Sequence, residues 1–427
     1  MKVEIDLEAT DPQGRSFIGW APVRATARLS EANGPPGPAD ITLRNGGLAG
    51  GGRVVFDLQR SDAGTAELRL TLPADGSEVE FQVAGDFQHP STDPDDAAID
   101  AIVPAGGVVG RCELMVRIRK NAVKLTPAER DRFLLALGKL NDDGAGPFQS
   151  FRDTHVDSSR AEAHGYPGFP PWHRAYLLDL ERSLQAIDPA VALPYWRFDE
   201  PAPGLFAPEF FGMPSADPAQ GDVIQFPHGH ALEFWKTDPT HDPIERRPRY
   251  DIAVAPPQSV GGQPFVIDQA ATLALGSGRY RGFRMMEIAP HGNAHTSFDG
   301  PVNSVPTAAK DPLFFLLHAN VDRLWAFWQW LNRRTDPNDP DTYHLSGPVR
   351  PPNNIGHKLD DTMWPWNGST TPPRPTFVPP RGSFASSPIT ARPGAQPTVR
   401  DMIDYQGVHG GAALGFDYDD VPFELRP

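Results

Sequence analysis

Cysteine is nearly absent. The 427 residues contain one, Cys112, which excludes an intrachain disulfide, a thiolate zinc finger and a four-cysteine iron–sulfur cluster. No apolar run approaches the roughly 18 residues of a membrane-spanning helix, so no membrane partner is expected. Positive charge is in deficit. With 39 Lys+Arg against 54 Asp+Glu the formal net charge is −15, which disfavours nucleic acid and anionic lipid as partners. The opening MKVEIDLEATDPQ has charges where a secretory signal needs an apolar stretch, and no twin arginine, so a cytoplasmic location is expected. Abundant instead are proline, 48 residues, and histidine, 13.

Over residues 1–118 the apolar positions alternate at period two. Val3, Ile5 and Leu7 form one set, Val23, Ala25, Ala27 and Leu29 another, and Val79, Phe81 and Val83 a third. Cys112, Leu114, Val116 and Ile118 close the series. Short half-buried strands divided by turn signals such as NGPPG, NGG and ADG predict an antiparallel β-sandwich, with Cys112 facing inward. The period changes at Leu125. Thr126, Pro127 and Glu129 supply an N-cap, a first-turn proline and a capping-box acid ahead of the stripe Phe133, Leu134, Leu137 and Leu140. A second, mainly α domain is therefore expected over 119–427. Residues 348–397 hold 12 prolines in 50 positions, interspersed with Trp364, Trp366, Phe377 and Phe384. That density suits neither helix nor sheet interior and predicts a long loop wrapped over the core. The run after it is expected to add a last short helix and strand.

The histidines are clustered, three within 155–173 and three within 291–318. His155, His164 and His173 are spaced nine and nine. The last opens the helix PWHRAYLLDLERSLQ, where it shares an apolar face with Leu177, Leu180 and Leu184 while Asp179, Glu181 and Arg182 are expected to face water. In PHGNAH, His291 and His295 stand at the i, i+4 spacing that lets one helix give a metal two imidazoles. His318 lies in DPLFFLLHANVDRLWAFWQW, with Asp311 as cap, Pro312 at the start, and Phe314, His318, Asp322 and Trp325 along one face. A lone histidine on an apolar stripe is more often a core residue than a ligand, but six in two similar trios are not independent. Three imidazoles can hold catalytic zinc; two all-imidazole trios in one domain suit a pair of copper ions better. His228, His230, His241, His344, His357 and His409 lie in loop-like surroundings outside these motifs.

The segments AHGYPGFPPWHRAYLLDLE, VALPYWRFD, MEIAPHGNAH and DPLFFLLHANVDRLWAFWQ resemble, in order and spacing, the two copper-binding segments of type-3 copper proteins, over about residues 124–335. These are the tyrosinases, catechol oxidases (polyphenol oxidases) and related hemocyanins. The resemblance implies a four-helix bundle holding two copper ions, the first on His155, His164 and His173 and the second on His291, His295 and His318. It implies oxidation of o-diphenols to o-quinones by O2, with ortho-hydroxylation of monophenols as a further activity, and hence phenolic small molecules as substrates. Glu287 matches an acid that holds a water near the coppers and can relay the phenol proton. Asp322 is placed to orient a histidine through its free N–H, or else to pair with an arginine. Phe314 is expected to pack beneath the copper histidines, and Val305 matches a gating position, where valine leaves access wide.

Three departures qualify the resemblance. Gly292 follows His291 where efficient monophenol hydroxylases place an asparagine, and Asn293 is one residue too far along, so diphenol oxidation is better supported. Leu317 replaces a non-ligating histidine that often precedes the last ligand. No cysteine lies near His164, which excludes a thioether link. An oxygen carrier of the hemocyanin kind and a zinc hydrolase using one trio stay open as alternatives, as does a binding module in the β domain beside a degenerate helical one. Beside an intact copper site, the β domain is expected to act as a lid or a stability module.

Overall fold

The computed structural model describes residues 1–31, 37–58, 63–156, 159–237, 243–255, 259–260, 263–264, 268–343, 355–380 and 382–423. Residues 33–36 of the NGPPG turn, His241, His344 and residues 348–354 and 381 of the proline-rich segment lie outside the described residues. The chain divides into two compact units. The first comprises Met1–Arg119 with Ser387–Arg392 and Tyr405–Pro427, the second Lys120–Ser386 with Pro393–Asp404.

The first unit holds two sheets over a shared core. Strands β1 (Lys2–Leu7), β2 (Ser16–Ile18), β3 (Val23–Glu31), β4 (Ala39–Asn45), β5 (Val54–Phe56), β6 (Glu67–Leu72), β7 (Val79–Gly85), β8 (Ala97–Ile102) and β9 (Val108–Val116) pair in the orders β1-β3-β7-β5 and β2-β9-β8-β4-β6. Alternation sends Val3, Ile5 and Leu7 of β1 and Ala25, Ala27 and Leu29 of β3 into the interior against Ile41, Leu43 and Leu114 of the other sheet. The expectation of a purely antiparallel sandwich fails at one place, because β2 runs parallel to β9. Cys112 is half-buried and packs against this core, and burial pushes its thiol up to about 11.

The C-terminal segment, expected to belong with the helices, completes this unit instead. Ile389, Val408, Ala413 and Phe423 join the sandwich core. The buried Asp417 accepts from the Trp20 N–H at 2.8 Å and from Gln406 Nε2 at 2.6 Å. Trp20 Nε1 donates to the Tyr418 carbonyl at 2.8 Å. The boundary therefore crosses the chain more than once. A terminal strip that lays apolar side chains on a sheet contributes through tertiary contacts that no local periodicity reports.

The second unit contains α1 (Pro127–Asn141), α2 (Phe148–Thr154), α3 (Arg160–Ala163), α4 (Phe169–Gln185), α5 (Gln269–Leu273), α6 (Tyr280–Phe283), α7 (Asn293–Thr296), α8 (Leu313–Asn332) and α9 (Val399–Ile403). The capping box is formed as expected, with Thr126 and Glu129 bonding each other's backbone N–H groups. The long helices among the described residues are α1, α4 and α8, of 15, 17 and 20 residues. The stretch from Tyr280 to Thr296 is broken into short turns, with Ala289 extended at φ −141°, ψ 124°. A residue before proline is pushed out of the helical region, and Pro290 follows it.

Helix α4 is more enclosed than its pattern predicts. Asp179, Glu181 and Arg182, expected in water, are all buried. Asp179 accepts from Trp366 Nε1 and the Ala385 N–H, Glu181 from the Leu193 N–H, and Arg182 donates to the Ala385 carbonyl. The described part of the proline-rich segment lies across this helix, with Trp364, Trp366 and Phe384 buried and Phe377 exposed. Polar side chains become interior when a later stretch of chain brings them partners. No helix among the described residues is long and apolar enough to cross a membrane.

Candidate metal centre

Each of the six histidines is set by a different local device. His155 ends α2, and His164 ends α3 in extended backbone at φ −141°, ψ 149°. His173 sits in the first turns of α4, which starts with prolines that need no N–H partner. His291 lies in the wide turn Ile288–Gly292 and His295 in α7, so the two occupy successive turns on either side of a break and not one continuous helix. His318 is on α8, whose start is held by the Asp311 carboxylate accepting the Leu313 N–H at 2.9 Å. The structure brings these residues into two groups, His155, His164 and His173 in one and His291, His295 and His318 in the other. Within each, ring nitrogens lie within 4.8 Å of one another. The groups adjoin, the His173 and His318 rings stacking at 4.2 Å and 12°.

Hydrogen bonds fix which nitrogen is presented. Nδ1–H donates to a carbonyl in four rings: His155 to Val305 (2.9 Å), His173 to Phe169 (2.9 Å), His291 to Glu287 (2.6 Å) and His295 to Val302 (2.6 Å). His164 Nδ1 faces a Glu287 carboxylate oxygen at 3.4 Å. A carbonyl only accepts, so these rings carry their proton on Nδ1 and offer the Nε2 lone pair. The Nε2 atoms turn toward one another, 2.9 Å between His155 and His164, and 3.2 and 3.1 Å from His291 and His295 to His318. Lone pairs that close repel unless a cation lies between them. His173 Nε2 is buried with no hydrogen-bond partner, a polar atom left for something other than protein. Burial, reinforced by the neighbouring imidazoles, holds His155, His173, His291 and His318 well below the usual imidazole range, and burial lowers His295 to about 4. Neutral imidazole is the form that ligates metal. The donor set fits two metal ions.

Aromatic rings wall the site. The fully buried Phe314 stands with ring centroids 4.2 Å from His318, 4.6 Å from His155 and 5.9 Å from His295. Phe169, which the sequence reading passed over, packs 4.6 Å from His173 and 4.9 Å from His291. Its signal was present, since it precedes His173 by four residues on the same face. Glu287 reaches both groups: its carbonyl orients His291, and its Oε1 accepts the Gly165 N–H at 2.6 Å beside His164. Val305 lines an open cavity of about 490 Å³ with Arg160, Ala161, His164, Gly165, Tyr166 and Pro373. Gly292 and Asn293 are half-buried in the turn after His291.

Two residues stand differently from their expectation. Asp322 does not orient His318, whose Nδ1 has no hydrogen-bond partner. It accepts from Arg174 Nε at 2.6 Å, the arginine pairing that was the alternative. Arg174 follows His173 directly, so its guanidinium reaches α8 where a neutral His318 has no charge to offer. His357, expected in a loop outside the motifs, is buried and bonded to the backbone on both sides of His164. His228, by contrast, is exposed and pairs with Glu233 at 3.1 Å, and His230 stacks on Phe226 at 4.5 Å.

The arrangement is that of a protein able to hold two metal ions side by side on histidine alone. The family profile described as "Common central domain of tyrosinase" matches residues 145–331, which include all six histidines. The chain is 31% identical over 275 residues to the tyrosinase of Streptomyces antibioticus, covering 59% of this chain and 94% of that protein. It is 29% identical over 235 residues to the hemocyanin A-type units Ode to Odg of Enteroctopus dofleini, covering 51% of this chain and 18% of that protein. A functional unit of octopus hemocyanin matches with a TM-score of 0.45 at 21% identity, over 72% of this chain and 69% of that one. The chain belongs to the tyrosinase family of type-3 copper proteins. Proteins of this family are oxidoreductases that bind two copper ions, and two copper ions are its cofactor.

Proposed function

We propose that the protein oxidises o-diphenols to o-quinones at the expense of O2, with His155, His164 and His173 holding one copper and His291, His295 and His318 the other. In this reading α2, α4, the Tyr280–Thr296 stretch and α8 form the four-helical cradle of the pair. The observation that carries it is the convergence of Nε2 atoms in two adjoining trios, with four of the six rings locked by an Nδ1 bond to a backbone carbonyl. Bound copper would supply the redox chemistry that lets dioxygen accept electrons from a phenol. The rest falls to the chain. The cavity beside His164 and Val305 admits the substrate ring. Phe314 and Phe169 exclude water around the ligands. Glu287, whose carboxylate is held by the Gly165 N–H beside His164, takes the phenol proton. Each o-diphenol gives up two electrons and two protons, and half an O2 takes them as water. Gly292, with no side-chain amide to fix a deprotonating water, favours diphenols over monophenols.

The likeness to hemocyanins supports a second reading, reversible oxygen carriage, against which the open cavity at His164 argues. Parallel turnover of catechol and phenol by the copper-reconstituted chain separates them. The expected result is two coppers per chain, catechol-dependent O2 uptake and slow or absent phenol hydroxylation. Two coppers with reversible O2 binding but no catechol oxidation would establish the carrier, and zinc retained in one trio with hydrolytic activity would overturn both.

A further inference from the structure

His164 is carried on backbone that has left its helix. His164 is extended, its side chain is 12% exposed, and Gly165 follows at φ +77°. A ligand on such a loop needs support from outside it, because a metal tolerates little positional error. One buried ring meets both sides of the loop. His357, 2% exposed, accepts the Gly168 N–H on Nδ1 at 3.2 Å and donates from Nε2 to the Ala161 carbonyl at 2.8 Å. Those partners lie three residues before and four residues after His164.

We infer that His357 is a positioning residue for the first metal ligand set, its imidazole stapling residues 161 and 168 so that the loop between them presents His164 in one place. The inference rests on the reading that His164 is a copper ligand. Both of its bonds are needed from one ring, which only a neutral imidazole with its proton on Nε2 supplies. The chain is shaped for this approach. A Cβ on Gly168 would lie 2.6 Å from His357 Nδ1, and one on Gly356 would lie 2.4 Å from the Glu162 carboxylate.

The staple is itself anchored. The Tyr343 hydroxyl donates to the His357 carbonyl at 2.7 Å, and the Asp361 carboxylate accepts the His357 N–H at 3.2 Å. Further along, the Trp364 N–H donates to buried Glu162 at 3.0 Å, Arg374 pairs with the same carboxylate, and the Trp364 carbonyl accepts from Trp172 Nε1 at 2.7 Å. The described part of the proline-rich segment thus reaches the first trio through the loop that carries His164.

The test uses full-length chains in which one trio is disabled: His295→Ala/His318→Ala leaves the first, His155→Ala/His173→Ala the second. Cu(II) dissociation constants are measured by chelator competition with and without His357→Phe, which keeps a flat ring and loses both hydrogen bonds. The first trio is expected to weaken about 10–100-fold, the cost of losing an outer support, while the second changes less than about threefold. His357→Asn, whose Oδ1 falls near the Nδ1 position and still accepts from Gly168 but loses the bond to Ala161, should recover only part of that affinity. Equal weakening of both trios, or a change below about threefold at the first, would overturn the staple. If the single-trio proteins with His357 intact bind no Cu(II), the metal assignment fails, and the inference with it.

Discussion

Replacing Asp322 by alanine removes half of an interior ion pair and leaves the other half stranded. The Arg174 and Asp322 side chains are 0% and 1% exposed, with Nε and Oδ1 2.6 Å apart. Arg174 also donates to Gln329 Oε1 at 3.1 Å and the Met402 carbonyl at 2.7 Å, and lies 3.8 Å over the Trp325 ring. Those neutral groups satisfy N–H bonds but supply no counter-charge. An uncompensated buried cation costs about 3–5 kcal/mol. At about 2–4 °C per kcal/mol this lowers the Tm of the helical unit by roughly 6–20 °C. Arg174 is next to His173 and Asp322 is one turn past His318, so the loss also loosens the two helices whose histidines stack between the trios.

The assay is calorimetry on the copper-loaded full chain, with near-UV circular dichroism reporting the tryptophan-rich helical unit. Asp322→Asn keeps an acceptor at Oδ1 and should fall between wild type and alanine. Arg174→Met/Asp322→Leu removes both charges and should be more stable than Asp322→Ala alone, because an apolar pair strands nothing. The reasoning is refuted if Asp322→Ala melts within about 2 °C of wild type, or if the double variant is the less stable of the two.

Two further outcomes follow from particular atoms. A Cβ at Gly292 meets only the Glu287 carbonyl at 3.5 Å, ordinary contact, so Gly292→Asn fits; an amide there should raise the ratio of monophenol to diphenol turnover on the order of tenfold, and an unchanged ratio removes the proton-handling argument. Burial lowers His357 to about 4 from 6.5, so between those values the unfolded chain binds the extra proton. Its contribution to stability is full above about pH 6.5 and declines toward pH 4 by about 3 kcal/mol. Urea unfolding of the copper-free chain should therefore show the gap between wild type and His357→Phe narrowing as pH falls, and parallel curves would contradict it.

The sequence by itself determined what is local or repetitive. Period-two alternation located the sandwich strands, because a side chain facing the core of a sheet recurs every second residue. The capping box at Thr126 was legible because its partners are three residues apart. The six histidines were legible because spacing within a helix or turn, read beside flanking motifs, restricts which side chains can meet.

Only the tertiary structure decided matters that depend on distant chain. Asp179, Glu181 and Arg182 look like a wet helix face until Trp366 and Ala385 bring partners to Asp179 and Arg182, and Leu193 one to Glu181. The C-terminal run looks like the end of the helical domain until Asp417 receives the Trp20 N–H. Asp322 shares a face with His318 by spacing, yet charge sends it to Arg174, since a neutral imidazole offers a carboxylate less than a buried guanidinium does. His357 is indistinguishable from a surface histidine in sequence, because nothing near it announces that its two nitrogens will meet Ala161 and Gly168. Local periodicity records which way a side chain points. What it finds there is set by stretches of chain that fold back from far away.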